Sequence, residues 1–178
     1  MALKPTIYKF DIALSDIDEG RYENLNLTVA QHPSETIERM MVRLLAYCIN
    51  LGDGLEFTTG LSNAEEPDLV QRSLDGITLN WIEVGEPSAE RIRKASTLAR
   101  KVKVYCFNTK ANVWWSQTQN EIESCGATVY RFPWAQITGL ASLVKRTLSL
   151  SVTITGMTAF IAADSGNVEV TWAELTNA

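Results

Sequence analysis

The sequence is poor in the side chains that most often carry protein chemistry, since its 178 residues include one histidine and three cysteines. Cys48, Cys106 and Cys125 are odd in number and far apart, which argues against a disulfide framework or a zinc site and favours reduced thiols in a cytoplasmic protein. The single histidine, His32, precedes Pro-Ser, where a structural role near a helix cap is more common than catalysis. A Ser-His-Asp triad would have only that residue to use.

Long apolar runs are also missing, and none approaches the roughly 20 residues that a membrane helix requires. Residues 1–6 lack the apolar segment of a signal peptide. There is no Gly-rich phosphate loop of either common type. We therefore expect a cytoplasmic protein that makes no membrane contact.

Positive charge is scarce, because 16 Lys and Arg residues against 21 Asp and Glu residues give a net charge of −5. A dedicated DNA-binding domain usually carries a dominant basic stripe, so any nucleic-acid contact is expected to be local or transient. The hydrophobic share of 46% and the charged share of 21% are typical of a globular protein. We predict a single domain over residues 1–178.

The hydrophobic pattern predicts an α/β fold of mixed α+β type. Alternating apolar residues indicate a β-hairpin at 5–15 and 22–30, and Ser34 is a suitable cap for a helix that runs to about Asn50. The other predicted elements are strands at 55–59, 69–74, 77–84, 102–107 and 128–132, helices at 88–100, 113–123 and 134–146, and two or three strands between 148 and 172. Alternation between 77 and 132 predicts some parallel strands, and the two ends are expected to form a second small sheet.

Three carboxylates stand apart from the others, and the first is Glu38. On a helical wheel Glu38 falls between the directions of Leu45 and Ile49, beside the apolar face. The polar residues Glu35, Arg39, Arg43 and Asn50 lie on the opposite side. A carboxylate beside an apolar face must be paired, protonated or bound to a cation. A salt bridge to a nearby Arg or Lys is the alternative to a metal.

The other two carboxylates are Asp68 and Glu83. Asp75-Gly76 predicts a two-residue type I′ hairpin turn, which would place Asp68 directly opposite Glu83 with Cβ atoms roughly 5 Å apart. Two like charges at that distance require a shared proton or a bridging divalent cation such as Mg²⁺ or Mn²⁺. The alternative is a solvated pair, because Asp68 follows the loop sequence Glu65-Glu66-Pro67.

The sequence resembles the YaeQ family, a variant of the PD-(D/E)XK nuclease-like superfamily. The resemblance covers essentially the whole chain and is carried by HPSETIERMM at 32–41, EPDL at 66–69 and WIEVG at 81–85. It implies a mixed sheet flanked by helices, with additional antiparallel strands from the N- and C-terminal segments. It further implies that Asp68 and Glu83 bind Mg²⁺ or Mn²⁺, that the Val84 carbonyl completes the shell, and that Glu38 assists directly or through water.

One position departs from the superfamily pattern. A lysine usually stands two residues after the second acid, but here that position is Gly85, which has no ammonium group to stabilise a transition state. The helix after Ser88 offers Arg91 and Lys94 as replacements. Arg91 lies closer to the apolar edge and is expected to point inward, whereas Lys94 is chemically closer because arginine does not give up its proton. A solvated helix face is the alternative for both.

Two functions are compatible with these residues. The first is a Mg²⁺-dependent phosphodiesterase of nuclease type whose catalytic set comprises Glu38, Asp68 and Glu83, with Arg91 or Lys94. The second is a catalytically silent nuclease-fold protein that acts as a binding or transcription-accessory factor, because the resemblance links the family to transcription elongation. Gly85 and the acidic net charge favour the silent protein, and the three retained carboxylates favour catalysis.

Overall fold

A computed structural model describes residues 3–177 and shows a mixed α/β fold. The helices are α1 (Ile37–Ile49), α2 (Ala89–Leu98), α3 (Ala111–Ser124) and α4 (Trp134–Ala141). The strands are β1 (Thr6–Asp16), β2 (Arg21–Gln31), β3 (Leu55–Phe57), β4 (Leu69–Arg72), β5 (Thr78–Val84), β6 (Lys101–Cys106), β7 (Thr128–Arg131), β8 (Thr147–Thr155), β9 (Thr158–Ala163), β10 (Gly166–Thr171) and β11 (Ala173–Glu174). Within this part of the chain, no helix is long and apolar enough to cross a membrane.

The chain divides into two compact units. Unit 1 contains the described residues up to Met41 together with Pro133–Trp172, and unit 2 contains Val42–Phe132 and the residues from Ala173 onward. Helix α1 begins in unit 1 and ends in unit 2. The single domain expected over residues 1–178 stays a prediction.

Unit 1 is built on a five-stranded sheet with the order β10-β9-β8-β1-β2. The strict alternation of β1 buries Tyr8, Phe10, Ile12 and Leu14 on one face of this sheet. Strands β1 and β2 form the predicted hairpin, and β8 to β10 form the predicted C-terminal strands. The two ends of the chain do form a separate sheet, joined by parallel pairing of β1 with β8.

Unit 2 is built on a six-stranded sheet with the order β11-β7-β6-β5-β4-β3. Strands β5, β6 and β7 are parallel, as predicted from the alternation of strands and helices. Helices α2 and α3 connect them and supply Ile92, Ala95 and Ile122 to a core that also contains Val104 and Val129 of the sheet. The β4–β5 hairpin therefore pairs with this parallel centre through β5.

Helix α1 begins later than the sequence suggests. The Thr36 hydroxyl oxygen accepts the backbone N–H of Arg39 at 3.2 Å and so occupies the position of an N-cap. Ser34, the predicted cap, instead contacts Nδ1 of His32 through its hydroxyl at 2.7 Å. The prediction failed because two hydroxyl residues precede the helix, and only the second is in register with its first free N–H groups.

The helical wheel placed Glu35 and Arg43 opposite the apolar face of the helix, but neither residue is exposed to solvent. Both residues are buried, and Glu35 forms an ion pair with Arg39 at 2.9 Å. Glu35 precedes α1, so the helical wheel does not describe its direction. The Arg43 guanidinium lies 5.9 Å from the centre of the Phe57 ring. This cation–π contact helps to stabilise the charged side chain in its buried position.

Candidate carboxylate site

The hairpin that carries the candidate carboxylates does not have the predicted type I′ turn. That turn requires positive φ at both central residues, but within residues 3–177 only glycines have positive φ, so Asp75 does not meet the requirement. The Ser73 N–H donates to the Ile77 carbonyl at 2.9 Å, which closes a three-residue loop with Gly76 at φ +85°. A glycine in the left-handed region is typical of such three-residue loops.

The predicted register is nevertheless observed further along the hairpin. Leu69 pairs with Ile82 and Val70 pairs with Trp81. The longer loop shifts the register by one residue, and an irregularity beside Gln71 shifts it back. The side chains near the site therefore occupy the faces that the two-residue turn would have given them.

Asp68 lies one residue before β4 and is fixed to β5 on both sides of Glu83. Its backbone N–H donates to the Ile82 carbonyl at 3.0 Å. Its Oδ2 atom accepts the backbone N–H of Val84 at 2.8 Å. The structure therefore brings Asp68 and Glu83 together at the end of β5.

Both carboxylates are buried, with 3% of Asp68 and 4% of Glu83 exposed. The solvated-loop alternative is thereby excluded for this pair. Burial is the largest cause that raises the pKa of the Glu83 carboxyl, and the charge of Asp68 raises it further, to about 7. The site thus holds a carboxyl group that titrates near neutral pH beside a second acid.

Two donors oppose that rise by stabilising the charged form of Glu83. Trp81 Nε1 donates to Glu83 Oε1 at 2.7 Å, which is possible because residues two apart on a strand share a face. Arg91 Nε donates to the same oxygen at 2.9 Å. Both contacts lower the pKa of Glu83, but less than burial and Asp68 raise it.

Arg91 points inward from the first turn of α2, which Ser88 caps by accepting the Arg91 backbone N–H at 3.2 Å. Its guanidinium also donates from Nη1 to the Ala64 carbonyl and from Nη2 to the Glu66 carbonyl, the latter at 2.7 Å. Arg91 therefore connects Glu83 to the loop that leads into Asp68. Each of the three nitrogens of the planar guanidinium therefore has an acceptor.

Lys94 is placed differently. Its side chain is 62% exposed and pairs with Glu65, whose side chain is 72% exposed. Such surface pairs contribute little to stability and are screened by salt. Of the two basic residues considered from the sequence, the structure brings only Arg91 to a candidate carboxylate.

Glu38 is half-buried in the first turn of α1. It belongs to unit 1, whereas Asp68 and Glu83 belong to unit 2. That Glu38 faces the same cleft as the other two acids stays a prediction.

Gly85 follows β5 and has a φ of +106°. Its N–H donates to the Tyr105 carbonyl at 2.9 Å, which fixes the backbone in this conformation. A Cβ atom at this position would meet nothing within 4 Å, so conformation and not space disfavours other residues. The backbone itself therefore favours glycine at position 85.

The sequence interpretation missed Trp81 as a donor to Glu83 and the loop carbonyls as acceptors for Arg91. The period of two along β5 could have identified Trp81, because it is two residues before Glu83. The carbonyl contacts had no sequence signal, since they depend on the path of an irregular loop.

Asp68 and Glu83 provide a small set of oxygen donors for a divalent cation. Within residues 3–177 no group of three or more His, Cys, Asp and Glu side chains is arranged to hold a metal ion. Mg²⁺ often takes one or two protein carboxylates and keeps several waters, and it prefers hard oxygen donors. The carboxylates of Asp68 and Glu83 meet that smaller requirement. The contacts of Trp81 and Arg91 are both to Oε1, which leaves Oε2 of Glu83 as the oxygen to offer a cation.

The fold and this site define a mixed α/β protein whose second sheet carries a buried carboxylate pair. The model of the YaeQ protein family matches residues 1–172, and the chain belongs to the YaeQ family. The resemblance of its motifs to the YaeQ family is thereby confirmed, and the assignment to the PD-(D/E)XK superfamily stays a prediction.

Relatives and solved structures share this fold over nearly their full length. The uncharacterized protein YaeQ of Escherichia coli (strain K12) is 38% identical, with coverage of 96% of this chain and 95% of that protein. The protein of the same name from Salmonella typhi is 39% identical with the same coverage. The crystal structure of YaeQ from Xanthomonas axonopodis pv. citri is 36% identical with a TM-score of 0.91, covering 96% of this chain and 98% of that one. The crystal structure of YaeQ from Pseudomonas syringae is 37% identical with a TM-score of 0.92, covering 97% of this chain and 96% of that one.

Proposed function

We propose that this chain is a Mg²⁺- or Mn²⁺-dependent phosphodiesterase of nuclease type, with a variant PD-(D/E)XK arrangement. The observation that carries the proposal is the buried pair of Asp68 and Glu83, in which the charge of one acid raises the pKa of the other. A divalent cation relieves such repulsion and favours both ionised carboxylates. Asp68, Glu83 and the Val84 carbonyl would hold the cation, and Glu38 would assist.

The residues of the chain supply fixed geometry. Hydrogen bonds hold Asp68 to the Val84 N–H at 2.8 Å and Glu83 to Trp81 at 2.7 Å, so neither carboxylate needs to reorganise. A bound divalent ion would supply a more acidic water and stabilise negative charge on a phosphate. Orientation of the ligands by neighbouring hydrogen bonds supports affinity for the ion.

Arg91 is proposed to replace the lysine that is missing at Gly85. Its guanidinium remains charged at neutral pH and is fixed by the Glu83 carboxylate and the Glu66 carbonyl. It can therefore stabilise negative charge on a phosphate, but it does not act as a general base. The exposed pairing of Lys94 with Glu65 makes Lys94 the weaker candidate.

The proposed substrate is nucleic acid, contacted locally and transiently because the net charge is −5. We also propose a cytoplasmic location, since Cys48 and Cys106 are free, buried thiols.

A second function is favoured by the ion pair itself. Arg91 already compensates Glu83 at 2.9 Å, so the carboxylate pair does not depend on a metal for neutralisation. In this second proposal the chain is a catalytically silent nuclease-fold protein that binds a transcription-related protein partner.

The two functions are distinguished by calorimetric titration with MgCl₂ and MnCl₂ and by cleavage assays on single-stranded, duplex and branched nucleic acids. The wild type is compared with Glu83→Ala and with Glu65→Ala, a matched control for an exposed acid. Catalysis predicts metal binding and cleavage that are lost only in Glu83→Ala. Cleavage that survives in Glu83→Ala indicates a contaminant. If the wild type neither binds metal nor cleaves any substrate, the result favours the silent protein.

A further inference from the structure

Unit 1 contains a concave area on the exposed face of its sheet, formed by β8, β9 and β10. The strand register builds it from two neighbouring cross-strand rows, and directly opposed side chains share one face of a sheet. One row is Thr153, Phe160 and Glu169, and the other is Ser151, Ala162 and Asn167. We call these six residues the sheet notch.

The shape of the sheet notch follows from the sizes of its central residues. Ala162 is small and lies between two polar side chains, whereas Phe160, two residues earlier on β9, is large. The resulting cavity has a volume of about 340 Å³, which falls at the lower end of the range of small-molecule sites. Phe160 is 45% exposed and gives the cavity an aromatic wall.

The polar side chains of the sheet notch have unused hydrogen-bonding capacity. Among residues 3–177, the side chains of Ser151, Thr153, Asn167 and Glu169 form no hydrogen bond or ion pair with the rest of the chain. Together they offer two hydroxyls, one amide and one carboxylate, which can both donate and accept. These side chains line the same cavity as Phe160, with Thr153 and Glu169 directly opposite it on the neighbouring strands.

The charge of the sheet notch selects among ligand classes. No Lys, Arg or His is among the residues that line the cavity, and the carboxylate of Glu169 repels anions. Phosphate groups and nucleic-acid backbones are therefore disfavoured. A ligand that matches the lining carries no negative charge, has several hydroxyl groups and has one apolar face.

We propose that the sheet notch binds a neutral saccharide unit. The apolar face of the sugar ring packs on Phe160, as apolar ligand surfaces do on aromatic side chains. Glu169 accepts hydrogen bonds from sugar hydroxyls, and Asn167 donates one and accepts another. A single exposed aromatic residue is common on protein surfaces, but Phe160 lies in a cavity that is also lined by polar side chains without partners in the described chain. The site is independent of the proposed phosphodiesterase function.

The test is a titration of ¹⁵N-labelled protein with maltose, cellobiose and N,N′-diacetylchitobiose, followed by backbone amide shifts. Adenosine and inorganic phosphate serve as non-saccharide probes. We expect saturable shifts at the sheet notch with at least one disaccharide, at a Kd of about 1 mM. Phe160→Ala should weaken that binding about tenfold, and Glu169→Gln should also weaken it.

Tyr22→Ala is the matched control, because Tyr22 is an aromatic residue of the same sheet that is 67% exposed and lies on β2. It should leave the affinity unchanged. The proposal is overturned if no disaccharide gives a saturable shift up to about 50 mM, if only adenosine or phosphate does, or if Tyr22→Ala and Phe160→Ala weaken binding equally. Amide spectra of each variant verify that it is folded.

Discussion

Arg91 Nε lies 2.9 Å from Glu83 Oε1, and the same guanidinium donates to the Glu66 carbonyl at 2.7 Å. One side chain on α2 therefore fixes both a buried carboxylate on β5 and the loop that leads to Asp68. This contact is the alternative to a metal as the source of positive charge at the carboxylate pair. Whether Arg91 works with a metal or instead of one decides between the two proposed functions.

Arg91→Ala should lower the free energy of unfolding by about 1–2 kcal/mol, because it leaves Glu83 buried beside Asp68 without its cation. The figure is below that for a fully buried pair, since 30% of the Arg91 side chain is exposed. Urea denaturation at pH 7 measures the change. Lys94→Ala is the control and should have no measurable effect; an equal loss in both variants would contradict the role assigned to Arg91.

The pKa of Glu83 predicts a pH dependence of stability. The native pKa of about 7 lies above the ordinary glutamate value of 4.5, so between these values the native state binds more protons than the unfolded state. The free energy of unfolding should therefore fall as the pH rises through this window, by up to about 3 kcal/mol, and level off above it.

Denaturation with urea in EDTA, at several pH values within and above that window, tests this dependence. Glu83→Gln should remove most of the slope. If Mg²⁺ binds the carboxylate pair, saturating Mg²⁺ should flatten the slope of the wild type by favouring the ionised form. An unchanged slope in Glu83→Gln would assign the titration to another group.

A lysine introduced at Gly85, where the PD-(D/E)XK pattern has one, should destabilise the protein. Gly85→Lys places a side chain at a φ of +106° and should cost roughly 1–3 kcal/mol of stability. Gly85→Ala should lose a similar amount, because the strain comes from the backbone and not from the charge. Thermal unfolding of both variants measures the loss, and cleavage assays show whether the ammonium group adds activity. A Gly85→Lys protein as stable as the wild type would refute the conformational explanation.

Trp81→Phe should raise the pKa of Glu83 further and cost about 1 kcal/mol of stability, because it removes the 2.7 Å hydrogen bond while retaining a large apolar ring. NMR titration of the Glu83 side-chain carboxyl measures the pKa. In Trp114→Phe the lost bond is to the Pro87 carbonyl, so the pKa of Glu83 should not move. Equal shifts in the two variants would argue for a general loss of packing.

Thr36→Ala should destabilise the protein by about 1 kcal/mol through loss of the cap of α1. Ser34→Ala, which alters the residue that the sequence favoured as the cap, should change stability much less. Urea denaturation compares the two. The reverse order would restore the sequence-based assignment.

The hairpin shows how far sequence reasoning reaches. The register that pairs Leu69 with Ile82 was predicted from a two-residue turn. It is observed because the irregularity beside Gln71 compensates for the longer loop, which keeps the apolar residues on the buried face. The turn was predicted wrongly because Asp-Gly is compatible with loops of either two or three residues, and the dipeptide alone does not select between them. Burial constrains the register more strongly than local turn chemistry constrains the loop.

Helix α1 shows where the same reasoning stops. A helical wheel predicts exposure only for residues inside the helix, and Glu35 lies before its first residue. It also takes no account of tertiary partners, such as the Phe57 ring that Arg43 contacts. Arg91 was correctly expected to point inward because Ile92 and Ala95 define the buried side of α2. Its acceptors at Ala64 and Glu66 depend on tertiary structure, and no local pattern indicates them.

The irregularity beside Gln71 separates the hairpin tip from the carboxylates. Leu74 at the tip is fully exposed, and Ile77 lies six residues before Glu83, roughly 20 Å along an extended strand. Exposed loop tips accept foreign segments more readily than other parts of a domain. An affinity peptide grafted between Leu74 and Asp75 would therefore provide a handle for isolating bound partners while the carboxylate pair remains intact.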